Sequence, residues 1–551
     1  MKRKIRNLIA AAAGCFLLAG LAFPAQATHT QGSELTYNCV APNTYLATLK
    51  IYRDCQGAQA PQNATLLVKA PGCNNGRSIP MTKLGNSRLG TDYCAQLGAP
   101  TCTVNGNPNY EEITFVSTVT FSAAEAQCAD WVLSWNLCCW PNLANVPNAQ
   151  GYDDYAEAHL KLGTAGTVTA NLNNSSPQFV APITRFINQN QPIMLSSLAV
   201  DPDGDSLVYS LQSLLSNTGN PVPFGSYSPP GGMLINPQDS SQVAFVAPVN
   251  QTLSATFPIP SYFVDWTQPA PRYATKSFAF DTQNGTLLFT APPMASSHPN
   301  LGANKYVFVV QVDEYRKLGG TAVKIGSVRR EVMITIIDCG PNNNPLITAP
   351  TANGQTLSPG AVINLRPGTP LNFTFAADDN NAADVLTMTS DAATVLPGSN
   401  LAISNGNRPT GSLTWTPTAA AVRDQPYFFR IMVADDACPV KGQRVETYAV
   451  RVSNNGGVTG ISKDLTSQAS FTAYPNPFSA EITFKVKQTQ PHQQILIYNV
   501  LGQQIDHLKL NGNVNTEQEV VWQNASKFPA GQYVARFNNG NGQTLKINKL
   551  Q

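Results

Sequence analysis

The chain is short of charge. Asp, Glu, Lys and Arg make up 12% of its 551 residues, against about 25% in an ordinary soluble protein. Its formal net charge of +2 supplies neither a basic field nor an acidic tail, so nucleic acid is not an expected partner. Catalytic signatures are missing as well: there is no Gly-x-Ser-x-Gly elbow, no His-Glu-x-x-His and no Gly-x-x-x-x-Gly-Lys-Ser/Thr loop. The adjacent acids Glu111-Glu112 and Asp153-Asp154 would point to opposite faces of a strand, which reads as solvated rims and not as acid/base pairs. No Cys-x-x-Cys occurs and histidines are few, which leaves the usual zinc spacing unfilled. After the first 27 residues no stretch is long and apolar enough to span a bilayer. These absences set aside nucleic-acid binding, a membrane span and the common enzyme motifs.

What is present points outward. Lys2, Arg3, Lys4 and Arg6 precede an apolar run over 8–23 and the small-residue site Ala25-Gln26-Ala27, the pattern of a secretory signal peptide over 1–27 with the mature chain starting at Thr28. Gly, Pro, Asn, Thr and Ser fill the turns between short alternating strands, and the length exceeds what one core supports. The expected fold class is all-β: tandem β-sandwich domains with a Cys-rich β module before them and a small β-sandwich after them.

Cysteines mark the first module, residues 28–170. Cys39, Cys55, Cys73, Cys94, Cys102, Cys128, Cys138 and Cys139 all fall there, an even set that implies disulfides in an oxidising compartment. Connectivity is not readable from sequence, but Cys138 and Cys139 are neighbours and are expected to take different partners. Cys339 and Cys438 are the pair left over and are expected to bridge. Residues 34–39 and 45–55 alternate as two strands of a hairpin around Ala41-Pro42-Asn43, and 112–119 with 131–135 read as a second pair. The phrases Leu35-Thr36-Tyr37-x-Cys39, Leu49-x-Ile51-Tyr52-Arg53-Asp54-Cys55 and Trp131-x-x-Ser134-x-x-x-Cys138-Cys139 resemble the N-terminal module of large surface proteins of gliding-type bacteria. The match departs after the double cysteine, at Trp140-Pro141.

The middle repeats itself. Ala199-Val200-Asp201-Pro202-Asp203-Gly204-Asp205 corresponds to the stretch from Ala376 through Asp378, Asp379 and Asp384. Asn284-Gly285-Thr286-Leu287 corresponds to Thr410-Gly411-Ser412-Leu413, and the strand from Tyr306 to that from Tyr427. This is the pattern of immunoglobulin- or cadherin-like sandwiches in tandem, over 171–340 and 341–455. The first copy carries an insertion at about 213–280, rich in Pro, Gly and aromatics, and a loop of that length is either functional or disordered. Tyr262, Phe263 and Trp266 within it are candidates for stacking on a carbohydrate.

Asp201, Asp203 and Asp205 sit at alternate positions of a tight turn and can converge hard oxygen ligands on a structural Ca²⁺, with Asp313, Asp435 and Asp436 as further oxygens. The competing reading is an Asx-turn satisfied without metal, so the cofactor expectation is Ca²⁺ or none.

A linker-like, Gly- and Asn-rich segment at 456–472 leads to residues 473–551. There Tyr474-Pro475-Asn476-Pro477-Phe478, Ile497-Tyr498-Asn499-Val500-Leu501-Gly502 and Pro529-Ala530-Gly531-Gln532-Tyr533 stand ahead of a short Lys-containing final strand. These motifs, in this order, resemble the type A C-terminal sorting domain of the type IX secretion system. The resemblance implies a small β-sandwich read by an outer-membrane translocon and removed by a sortase-like peptidase, with the mature chain secreted or held on the outer cell surface. The cut is expected between 456 and Ala473. The functional expectation is an exported binding or adhesion protein whose ligand is a surface polysaccharide or another cell-surface molecule. The alternative is a secreted hydrolase of polysaccharide or protein with its site in the N-terminal module or the 213–280 insertion.

Overall fold

The computed structural model describes residues 30–549 apart from 91, 104–106, 163–171, 181–183, 228–232, 237–240, 247–250, 265, 296–301, 358–361, 424, 455–460, 463–471, 475–477, 479, 488–493, 500–503, 511–516, 529–530 and 538–543. The signal-peptide residues therefore lie outside the described part. The chain divides into two compact units, Met1–Lys463 and Asp464–Gln551.

The first unit is organised by one twelve-stranded sheet. Thr30–Ala41 and Thr44–Asp54 form the expected hairpin, with Asn43 at φ +56° in its turn, a left-handed conformation that asparagine tolerates better than most residues. The order continues through Tyr110–Thr120, Asn75–Lys83, Ala64–Ala70, Asp130–Leu137, Asp154–Lys161 and Thr321–Ile337. Thr30–Ala41 also pairs with Thr321–Ile337, at Glu34 and Arg330. The strands so named thus close into a ring, which leaves no open edge there. Alternate side chains such as Leu35, Tyr37, Leu49, Phe115, Trp131 and Leu133 fill one continuous core.

Three expectations fail here. Tyr110–Thr120 and Asp130–Leu137, read as partners, are both strands but do not pair, because Asn75–Lys83 and Ala64–Ala70 lie between them. The boundary drawn at 170 is not a break either: Thr321–Ile337, Lys305–Leu318 and Ser206–Gln212 of the first repeat continue the same sheet and share its core. Asp154, taken as a solvated rim, is fully buried. It accepts a hydrogen bond from the Ser33 hydroxyl at 2.5 Å, and burial pushes its carboxyl up to about 6.

The repeat itself is visible in the pairing. In the first copy Phe186–Asn188 runs parallel to Thr321–Ile337, Pro192–Ser196 pairs with Thr286–Thr290, and Ser206–Gln212 with Lys305–Leu318. In the second, Val362–Leu365 runs parallel to Gln443–Val452, Leu371–Asp378 pairs with Thr410–Trp415, and Thr387–Ser390 with Tyr427–Ala434. These are the two sheets of an immunoglobulin-like sandwich. The second copy has its own core around Phe373, Trp415 and Phe429.

The cysteines pair as Cys55–Cys102, Cys73–Cys128, Cys94–Cys438 and Cys138–Cys139. Cys39 and Cys339 are free thiols. The expected Cys339–Cys438 bridge is therefore corrected. The Cys94–Cys438 bridge, its α-carbons 5.2 Å apart, brings the second repeat onto the N-terminal module, where Cys94 N–H donates to the Pro439 carbonyl at 3.1 Å and Tyr93 forms an isolated β-bridge with Val440. Cys138 and Cys139 bond to each other and not to separate partners, which corrects the expectation that they would part.

In the second unit a three-stranded sheet (Thr472–Tyr474, Thr483–Lys487, Glu517–Val521) and a four-stranded sheet (Gln504–Lys509, Gln494–Asn499, Gly531–Phe537, Thr544–Lys549) share a core centred on Trp522.

Candidate functional site

The insertion of the first repeat folds into a four-stranded sheet in the order Met233–Ile235, Val243–Val246, Arg272–Lys276, Tyr262–Phe263. Adjacent residues of a strand point to opposite faces, and the register sorts them. Leu234, Ala244, Ala274 and Tyr262 are on the inner face, which packs with Phe257 and Tyr227. Ile235, Phe245, Tyr273 and Phe263 share the outer face, at 61%, 42%, 63% and 59% exposure.

The stacking candidates are thus split. Tyr262 is buried in edge contact with Phe257, Phe263 is exposed, and Trp266 is half-buried. All three still line one cavity of about 580 Å³, whose floor is made by Pro192, Thr290 and Pro292 of the sandwich. The Tyr262 hydroxyl is buried without a hydrogen-bond partner, which costs free energy unless something in the cavity satisfies it. Sequence inspection found the three aromatics but not Phe245 and Tyr273, which only register places beside Phe263.

The acidic turn does gather its carboxylates. Asp201, Asp203, Asp205 and Glu314 bring ligand atoms within 4.8 Å of one another. Their partners are largely internal. Asp201 Oδ1 accepts from the backbone N–H groups of Asp203 and Asp205, each at 2.9 Å. Asp203 Oδ2 accepts from Ser175 N–H at 2.6 Å. Arg316 grips Asp205 through Nε at 2.9 Å and Nη2 at 2.5 Å. Glu314, fully buried, takes Asn174 Nδ2 at 2.7 Å, and its other oxygen and Asp201 Oδ2 have no partner. Burial first, then the Asp201 charge, push the Glu314 carboxyl far up. Arg316 thus supplies a counter-charge to one side of the cluster, while the four carboxylates remain a candidate ligand set for a cation.

The second repeat builds the same frame with less compensation. Asn342 Nδ2 donates to Asp435 Oδ2 at 3.0 Å as Asn174 does to Glu314, and Asn381 N–H donates to Asp379 Oδ1 at 2.8 Å as Asp203 does to Asp201. The counterpart of Asp201 is therefore Asp379 and not Asp378. Asp379, Asp384 and Asp435 bring ligand atoms within 4.8 Å of one another. Arg408 here donates to the carbonyls of Asp379, Asn381 and Asp384 and to Asp378. Asp379 Oδ2, Asp384 Oδ2 and Asn342 Oδ1 are left without a partner. Burial raises the Asp379 and Asp435 carboxyls. A sequence signal for this frame existed: Asn174-Ser175-Ser176-Pro177 and Asn342-Asn343-Asn344-Pro345 stand ahead of the two copies.

In the sorting domain Phe478, Phe528 and Tyr533 surround Trp522 at 6.0, 5.4 and 5.7 Å, and Trp522 Nε1 donates to Asp506 Oδ2 at 2.8 Å. Two of the motif aromatics are therefore core residues, Phe478 and Tyr533 being nearly inaccessible. Tyr474 ends the first strand and Gly531 begins the one carrying Tyr533. Pro475, Asn476, Pro477 and Gly502 lie outside the described residues.

Residues 472–549 match the family described as the secretion system C-terminal sorting domain. No curated protein matches the chain. Among solved structures it is similar to titin Ig tandem domains A164–A165 (10% identity, TM-score 0.14, covering 49% of this chain and 97% of that one). It is similar to the complex of Dpr2 Ig1–Ig2 with DIP-Theta Ig1–Ig3 (9%, 0.17, 51% and 98%) and to Drosophila OTK extracellular domains 3–5 (12%, 0.13, 71% and 99%). The chain is a mostly β-strand protein with immunoglobulin-like domains, exported through the type IX secretion system and secreted or attached at the outer surface. Among the described residues no helix is long and apolar enough to cross a membrane.

Proposed function

We propose that the exported chain is a carbohydrate-binding adhesion protein whose ligand site is the cavity of the first-repeat insertion. The observation that carries this reading is the combination in one cavity of exposed Phe263, half-buried Trp266 and the unpartnered Tyr262 hydroxyl. Aromatic faces take the C–H face of a sugar ring, and a buried hydroxyl without a partner is a ready donor to a sugar oxygen. Replacing Tyr262, Phe263 and Trp266 together by Ala is expected to weaken binding of the secreted protein on a glycan array by at least about tenfold, or 1.4 kcal/mol. Because Tyr262 is also a packing residue, Phe263→Ala/Trp266→Ala serves as the second variant. Unchanged binding by both variants removes the reading. In the same proposal, a sortase-like peptidase removes the sorting domain after export.

Calcium belongs to the second repeat in this reading. Asp379, Asp384 and Asp435 with Asn342 offer hard oxygens that no cationic side chain grips, Arg408 donating to the carbonyls of this turn and to Asp378 instead, whereas Arg316 already grips Asp205 in the first turn; this is the chemistry Ca²⁺ takes. Millimolar Ca²⁺ is expected to raise the melting temperature relative to EDTA, and Asp384→Asn to abolish that rise while Asp203→Asn leaves it. A calorimetric scan insensitive to calcium would sink this assignment.

A further inference from the structure

Phe263 belongs to two surfaces. It lines the mouth of the cavity, and it stands in register with Thr275 on the outer face of the insertion sheet. On that face Tyr273 stands two residues before Thr275 and pairs directly with Phe245, their ring centroids 6.1 Å apart and tilted by 42°. Tyr262–Phe263 is an edge strand, so the exposed rings lead from the cavity over the sheet edge and across its neighbouring strands, a step of about 4.8 Å each.

We infer that this ring-lined path is an extended subsite for a neutral polysaccharide chain, with the cavity holding one part of the polymer and the Phe263, Tyr273 and Phe245 platform holding the units beyond it. The inference rests on the cavity reading and deepens it. Charge selects the occupant. The outer-face positions fixed by register are Met233, Ile235, Val243, Phe245, Tyr273, Thr275 and Phe263; none is ionisable near neutral pH. An acidic or basic partner would find no counter-charge on these positions and would lose hydration to them. A neutral glycan loses little, presents C–H faces to rings, and can reach the hydroxyls of Tyr273 and Thr275 with its own. Exposed apolar faces of this kind on a soluble chain mark interaction sites.

The length dependence of binding tests this. Full-length secreted protein and the variants Phe245→Ala/Tyr273→Ala and Phe263→Ala/Trp266→Ala are titrated with cellobiose, cellohexaose and soluble hydroxyethyl cellulose, with laminaribiose, laminarihexaose and laminarin, and with polygalacturonate as the charged control. Phe245, Tyr273 and Phe263 are exposed and Trp266 is half-buried, and unchanged circular dichroism of each variant checks that it folds. The expected result is that Phe245→Ala/Tyr273→Ala leaves the disaccharide affinity as it was and weakens the neutral polymer by about tenfold. The Phe263→Ala/Trp266→Ala pair is expected to weaken both lengths. Equal loss at every length, or no loss for the polymer, overturns the platform while leaving the cavity reading in place. Preference for polygalacturonate overturns the neutral-chain assignment. A concentration-dependent dimer dissolved by Phe245→Ala/Tyr273→Ala gives the face to a second copy. If none of these glycans binds wild-type protein, cavity and platform readings fall together.

Discussion

Removal of residues 472–551 is expected to strand the remainder in the periplasm, with none recovered from the cell surface or the medium. The expected mature form of the intact protein begins at Thr28 and ends before Ala473 by mass spectrometry. Point variants sharpen this. The sorting domain spans about eighty residues, and at about 0.05–0.15 kcal/mol per residue such a domain is held by roughly 4–12 kcal/mol. Trp522 is fully buried among Phe478, Phe528 and Tyr533, and truncating a core Trp to Ala costs about 3–5 kcal/mol. Trp522→Ala therefore consumes a large share of the domain's stability and is expected to reduce surface display severely, while Trp522→Phe restores part of it. Full export of the truncated chain, read by fractionation, would make these residues an ordinary terminal domain.

The second large effect concerns how the first unit holds together. Lys305 of the first repeat lies 2.9 Å from Asp54 of the N-terminal module, and both side chains are almost wholly buried. Removing one member of a buried pair leaves an uncompensated charge at about 3–5 kcal/mol. Lys305→Ala is expected to lower the urea midpoint followed by near-ultraviolet circular dichroism, to which buried Trp131 and Trp140 contribute. Replacing both partners, as Asp54→Leu/Lys305→Met, should recover most of the loss, because an apolar pair needs no counter-charge. If Lys305→Ala unfolds at the wild-type midpoint, the two segments do not depend on this contact.

What sequence alone could show follows the range over which each signal acts. The hairpin around Asn43, the alternating strands and the tandem repeat are local patterns of period two with turn residues between them, and each has its counterpart in the strand pairing. Which strands meet is not local. Nothing in residues 110–120 announces that two other strands separate them from Asp130–Leu137. Nothing at Glu34 announces Arg330 across the chain. Composition leaves Cys339 and Cys438 as a pair, but the second repeat folds back onto the N-terminal module and Cys438 bonds Cys94. The acidic turn was legible as chemistry, and Arg316, which compensates it, was invisible because it comes from a different strand. At the insertion the aromatic composition was readable, whereas the division into an inner and an outer face needed the register.

The Cys94–Cys438 bridge joins residues 344 apart, and that span contains the insertion with its ring-lined surface. On a protein held at the cell surface through its C-terminal end, tension from a bound ligand at Phe263 reaches residue 438 by two covalent routes, directly along the chain and backward through Cys94. Load is divided between them. Both routes lie inside the loop that the bridge closes, so the segments on either side of Phe263 share a pull that an unbridged chain would put on one of them alone. Reduction of that single bond would leave the direct segment from Phe263 to Cys438 to bear the whole load.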